Sequence, residues 1–180
     1  MAQNATIFKA QLTIADMDRH YYADHTLTLA LHPSETEERM MMRILAFIMH
    51  ASEQLEFTRG LAADDEPDLW QKSYSDEIEL WIDVGLPSDK RIRKACNRSK
   101  QVIILTYGSD QAVKPWLTSI QSELNRQDNL TLLRIPVEQS NTLTQLASRN
   151  MNLQCNLQDN EVWISSDKGT ATVEVERIGN

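Results

Sequence analysis

Residues 78–108, IELWIDVGLPSDKRIRKACNRSKQVIILTYG, decide how this chain folds. Ile78, Leu80, Ile82 and Val84 alternate with Glu79, Trp81, Asp83 and Gly85, the period of an extended strand with one apolar face. Pro87-Ser88-Asp89 then opens a helix, KRIRKACNRS, with Ser88 or Asp89 as its cap. The run QVIILTYG that follows is apolar on both faces, as in a strand covered from both sides. Strand, helix and strand in this order imply a right-handed crossover and a parallel pair.

The same alternation continues toward the C-terminus. VKPWLTSIQSELNRQ (113–127) reads as a helix, LTLLRIP (130–136) as another buried strand and PVEQSNTLTQLASR (136–149) as a further helix. The last 30 residues change character. MNLQCNLQ, EVWISS and TATVEVE are short alternating strands, with turns at Asp159-Asn160 and Lys168-Gly169; the latter suits a hairpin.

Toward the N-terminus, LEFTRGL (55–61) and DLWQKSY (68–74) read as strands separated by the acidic turn AADDEP. Before them, Ser34-Glu35-Thr36-Glu37 has the form of a capping box, with Pro33 just outside it. A long helix, EERMMMRILAFIMHASEQ, follows it, with Met41, Ile44, Leu45 and Ile48 as its buried stripe. Glu38 sits at the N-terminal end of that stripe. The first 32 residues read as two strands, ATIFKAQLTIA and HTLTLALH, joined by a polar turn region. The expected architecture is a single α/β domain over residues 1–180, with a mixed sheet and an antiparallel extension made from the two chain ends.

Composition narrows the function. Eighteen Lys plus Arg against 26 Asp plus Glu give a net charge of −8 in 180 residues, with 41% hydrophobic and 24% charged residues. That is the composition of a globular protein and not of a disordered one. Tight nucleic-acid binders carry a strong basic footprint, so any such footprint here is local. Two cysteines, Cys96 and Cys155, make no scaffold and no C-x-x-C pair. Four scattered histidines lack metal-ligand spacing. The N-terminal stretch has no basic segment followed by an apolar one, and no run is long enough to span a bilayer. A cytoplasmic protein without a membrane partner is expected. No glycine-rich phosphate loop is present.

One constellation could carry chemistry. If the strands at 68–74 and 78–86 pair antiparallel, Asp68 and Asp83 meet at the start of one and the end of the other. Two close carboxylates repel, and so raise a pKa or recruit a cation. Two or three carboxylate oxygens, with water and phosphate completing the shell, suit Mg²⁺. Such an ion activates water and neutralises charge on a phosphodiester. Plainer roles exist for each residue. Asp68 follows Pro67 in a turn, Glu38 suits the positive end of its helix, and Trp70 and Trp81 fit a core as well as a base-stacking surface. The basic stretch 90–100 could simply balance the acidic loop 64–68.

The strings HPSETEERM, FTRGLAADDEPDLW and ELWIDVGLPSDKRIRKAC resemble the YaeQ family, along nearly the whole chain. Through it the chain resembles the PD-(D/E)xK nuclease-like superfamily, which implies a restriction-endonuclease-like, three-layer α/β/α core. The resemblance implies Glu38 as the first-motif glutamate, Pro67-Asp68 as the Pro-Asp, and Asp83-Val84-Gly85 as the (D/E)-x-K. Gly85 stands where lysine is expected, so Lys94, or else Lys72, is the candidate to supply the amine. The implied activity is a Mg²⁺- or Mn²⁺-dependent nuclease or phosphodiesterase, with Asp68 and Asp83 as metal ligands and nucleic acid as substrate. The alternative is a non-catalytic binding or regulatory module on the same fold, with a protein or nucleic-acid partner.

Overall fold

The computed structural model describes residues 4–60 and 64–179. Its elements run in the order β1 (Thr6–Asp16), β2 (Tyr21–Leu31), α1 (Glu37–His50), β3 (Leu55–Phe57), β4 (Leu69–Lys72), β5 (Ile78–Val84), α2 (Asp89–Arg98), β6 (Ser99–Tyr107), α3 (Asp110–Arg126), β7 (Leu130–Ile135), α4 (Val137–Thr144), β8 (Asn150–Gln158), β9 (Glu161–Ser166), β10 (Gly169–Glu174) and β11 (Glu176–Ile178). The chain divides into two compact units, residues 1–49 with 136–175, and residues 50–135 with 176–180. No helix among the described residues is long and apolar enough to cross a membrane.

The second unit holds a six-stranded mixed sheet in the order β11-β7-β6-β5-β4-β3. β5, β6 and β7 are parallel, as the strand–helix–strand pattern predicts, and β4 runs antiparallel to β5. The apolar run of β6 places Val102, Ile104 and Leu105 in fully covered positions. Val102 and Ile104 join Trp81 of β5, Ile92 and Ala95 of α2, and Val113 and Ile120 of α3 in one core. The cap of α2 is Ser88, whose side chain accepts from the Arg91 amide. That bond satisfies one of the four orphan N–H groups of the helix start.

The first unit holds a five-stranded sheet in the order β10-β9-β8-β1-β2. Both chain ends contribute to it, as expected, but it is not purely antiparallel, because β1 and β8 are parallel neighbours. The two strands come from opposite ends of the chain, so no hairpin turn dictates their direction. Asp159 and Asn160 both take positive φ, 52° and 65°, the backbone of a tight turn between β8 and β9.

Helix α1 departs from its sequence reading in two ways. Its cap is Thr36, whose hydroxyl accepts from the Arg39 amide at 3.1 Å. Ser34, expected to cap, instead hydrogen-bonds the His32 ring at 2.7 Å. The helix is also buried on every side from Met40 to Ile48, and not along one stripe. Arg43 is part of that buried run. Its Nη2 donates to Glu35 Oε1 at 2.6 Å and to the Ala30 carbonyl at 3.2 Å. With side-chain exposures of 7% and 3%, Arg43 and Glu35 form a buried ion pair. Removing one partner of such a pair strands the other charge. Glu35→Ala is therefore expected to lower unfolding free energy by about 3 kcal/mol in urea titrations. A loss below about 1 kcal/mol, the size of a surface pair, would contradict that placement.

Candidate functional site

The antiparallel register of β4 and β5 pairs Leu69 with Ile82 and Trp70 with Trp81. One position further on, Asp68 faces Asp83, and the Asp68 amide donates to the Ile82 carbonyl at 3.0 Å. The two carboxylates are thus brought together as the strand reading requires, and both are buried, 4% and 2% exposed. Each has a specific occupation. Asp68 Oδ2 accepts from the Val84 amide at 2.8 Å, which closes the ladder where β4 begins and β5 ends. Asp83 is gripped by the Arg91 guanidinium through two bonds, Nε to Oδ2 at 2.9 Å and Nη2 to Oδ1 at 3.0 Å. Such two-point pairs are among the strongest and most directional charge-assisted bonds.

Arg91 does more than neutralise Asp83. Its Nη1 donates to the Asp64 carbonyl at 2.9 Å and its Nη2 to the Glu66 carbonyl at 2.8 Å. Arg98, two turns further along α2, donates to the Asp65 carbonyl at 2.7 Å. The basic stretch and the acidic loop therefore do meet, through the main-chain carbonyls of Asp64, Asp65 and Glu66. Thr58 braces the same loop: its hydroxyl donates to the Pro67 carbonyl and accepts from the Gly60 amide.

Burial pushes the Asp83 carboxyl above its ordinary value, Arg91 pulls it down, and the nearby Asp68 charge adds to the rise. The net direction is upward. Burial alone would lower the Arg91 value, but the bond and charge of Asp83 outweigh it and hold the guanidinium protonated. Neither cysteine offers a nucleophile: burial raises Cys96 to about 11 and Cys155 to about 12.

Lys94 is exposed on α2, three residues beyond Arg91. Lys72 is at the far end of β4 from Asp68, past a register shift between Gln71 and Lys72, and its Nζ sits 4.0 Å from the centre of the Trp70 ring. Gly85 has φ +112°, so β5 ends there, and the strand alternation that would aim a side chain at the Asp83 face is broken. Glu38 belongs to the first unit, half-buried at the start of α1, with Oε2 3.4 Å from the Ser140 hydroxyl. Trp81 is in the core, and Trp70 donates to Glu56 Oε1 at 3.0 Å. Among the described residues, no group of three or more His, Cys, Asp and Glu side chains could hold a metal ion. The donor set as it stands does not fit the expected ion, because the Arg91 guanidinium, itself a cation, already holds both oxygens of Asp83.

Arg91 is the residue that sequence reasoning missed. It lay in plain view within the basic stretch, three residues after the Ser88 cap and in the first turn of the helix that follows β5. A search for an amine favoured lysine, whereas a buried carboxylate with two free oxygens is matched better by a planar fork.

A mixed sheet with crossover helices in one unit, and a buried aspartate pair held by an arginine, define an α/β protein with a charge-compensated acidic site. The family model described as YaeQ protein matches residues 1–175, and the chain belongs to that family. It is 45% identical over 175 residues to a protein of Escherichia coli (strain K12) described as uncharacterized protein YaeQ, covering 97% of this chain and 96% of that one. A Salmonella typhi protein of the same description is 42% identical over 175 residues, with the same coverage. The crystal structure of YaeQ protein from Xanthomonas axonopodis pv. citri superposes with a TM-score of 0.93 at 44% identity, over 97% of this chain and 98% of that one. That of YaeQ protein from Pseudomonas syringae gives 0.93 at 32% identity, over 99% and 98%.

The Asp83 carboxyl rises on folding, so the folded state binds more protons than the unfolded state above 3.8, the ordinary aspartate value. Its contribution to stability therefore falls as pH rises through that window. Urea unfolding of the wild type and Asp83→Asn across this range is expected to shift their difference in favour of the wild type as pH is lowered. A shift in the opposite direction would mean that Arg91 lowers the Asp83 value more than burial raises it.

Proposed function

We propose that this chain is a non-catalytic binding or regulatory module on a nuclease-like framework, in which the Arg91 guanidinium takes the place of a divalent cation between the sheet and its covering loop. The observation that carries this reading is the two-point Arg91–Asp83 pair, with Arg91 also bonded to the carbonyls of Asp64 and Glu66. The resemblance of Pro67-Asp68 and Asp83 to PD-(D/E)xK positions supports a restriction-endonuclease-like origin for the second unit. Gly85 removes the amine from the motif, and Arg91 supplies a positive charge that cannot be deprotonated to serve as a base. The partner meets the outer flank of α2, where Lys90 and Lys94 are exposed one turn apart. Those two cations attract a short anionic stretch of protein or nucleic acid, while the net charge of −8 opposes a long one.

One observation favours a second reading. Asp68 and Asp83 remain a close, buried acidic pair, and Arg91 reaches them from a side chain that is 31% exposed. If Arg91 were withdrawn, the pair would suit Mg²⁺ or Mn²⁺ and phosphodiester hydrolysis, with Lys94 as the amine. Single- and double-stranded DNA and RNA, incubated with either ion and with wild type, Arg91→Ala or Asp83→Ala, separate the readings. The module reading expects no cleavage by the wild type or by Arg91→Ala, and a wild-type melting temperature that does not respond to Mg²⁺. Cleavage that requires Asp83, or stabilisation of Arg91→Ala by Mg²⁺ that Asp83→Ala lacks, would establish the hydrolase.

A further inference from the structure

The outward face of the five-stranded sheet has an unusual chemistry for a protein surface. Its core face is apolar, with Leu12, Ile14, Leu153, Cys155 and Ile164 all buried. The opposite face would ordinarily be laced with charge. Here the rows beside the groove are amides and hydroxyls, with the exposed Lys9 opposite Asn150 and the exposed Asp24 opposite Thr13 at their margin. Gln11 pairs with Asn152, and Thr13 pairs with Gln154, which in turn faces Ser165. In the next row, Asn156 faces Trp163, which is half-buried. A groove of about 420 Å³ runs over this surface, lined by Asn150, Asn152, Gln154, Ser165, Ser166 and Asp167.

We infer that this groove is a binding site for a neutral oligosaccharide lying across strands β8 and β9. A sugar hydroxyl both donates and accepts, and so does a primary amide, whereas an ammonium or a carboxylate does only one of the two. Rows of Asn and Gln side chains therefore match a chain of hydroxyls better than any other ligand class. Strand spacing of ~4.8 Å repeats that match across the sheet. Asp167, which lines the groove, accepts from two neighbouring hydroxyls.

The same observations disfavour other occupants. The one charged group lining the groove is a carboxylate, Asp167, which repels phosphate. The nearby Lys168 amine is committed to the Ala147 carbonyl at 2.8 Å. A peptide adding to a sheet needs an open edge, but β1 and β8 are paired on both sides. The site lies wholly within the first unit and does not rest on the reading of Arg91.

The test is amide NMR of the full chain titrated with cellohexaose and with chitohexaose, and with a heparin hexasaccharide and an oligo(dT) as anionic comparators. Saturable shifts on β8 and β9 amides with at least one neutral glycan are expected. The double variant Asn152→Ala, Gln154→Ala should weaken that binding roughly tenfold or more. Both residues are exposed, so its melting temperature should stay at the wild-type value. No saturable shift with either neutral glycan would overturn the inference. Undiminished binding by the double variant, or tighter binding of an anionic comparator at these amides, would also do so.

Discussion

Arg91 is the fixed point of the second unit. Its guanidinium is the counter-charge of a carboxylate that is almost wholly withdrawn from water, and an uncompensated charge there would cost several kcal/mol. The same group satisfies the carbonyls of Asp64 and Glu66 in the stretch that leads into β4. One side chain therefore joins three elements: the end of β5, the first turn of α2 and the chain leading into β4. Asp68 completes the arrangement from the other strand by accepting the Val84 amide. The positions of both carboxylates follow from strand register, and their chemistry follows from the arginine.

This has a consequence for how the acidic pair behaves. Two neighbouring carboxylates in a dry site would share a proton or hold a metal. A guanidinium between sheet and loop offers a third solution, one that is planar and permanently charged. It also fixes direction, because its fork demands two oxygens on one side and carbonyls on the other. A buried ion pair of this kind is weak evidence for stability in itself. Its value here lies in determining where the loop sits.

Most of the fold was legible in the sequence because it follows from periodicity. The doubly apolar run of β6 and the cap at Ser88 each have a local physical cause, and each is found where that cause places it. The alternation in 78–84 marks a strand, as found, but not its expected single apolar face: Trp81 to Val84 are all buried and Leu80 is only half-buried. What was not legible depends on partners distant in sequence. Nothing in ATIFKAQLTIA or MNLQCNLQ states that the two strands run parallel. The Ser34 cap failed because His32 captured the hydroxyl, leaving Thr36 to serve the helix. The full burial of α1 was hidden by Arg43, which reads as a solvent-facing residue until Glu35 is seen to neutralise it. At the site, the meeting of Asp68 with Asp83 was legible from strand pairing alone. The role of Arg91 was not, because the motif directs attention to amines, and because the shift at Gln71–Lys72 carries Lys72 out of line.

The two units pose different chemical questions. One presents a polar sheet face made of amides and hydroxyls, and the other a sealed ionic junction. The central claim concerns the junction, and the resonance of the Arg91 Nε–H reports on it directly. With the guanidinium locked onto Asp83, that proton should be shifted, slow to exchange and indifferent to added Mg²⁺. A resonance that exchanges like that of a solvated arginine, or that disappears as Mg²⁺ saturates the protein, would contradict the account.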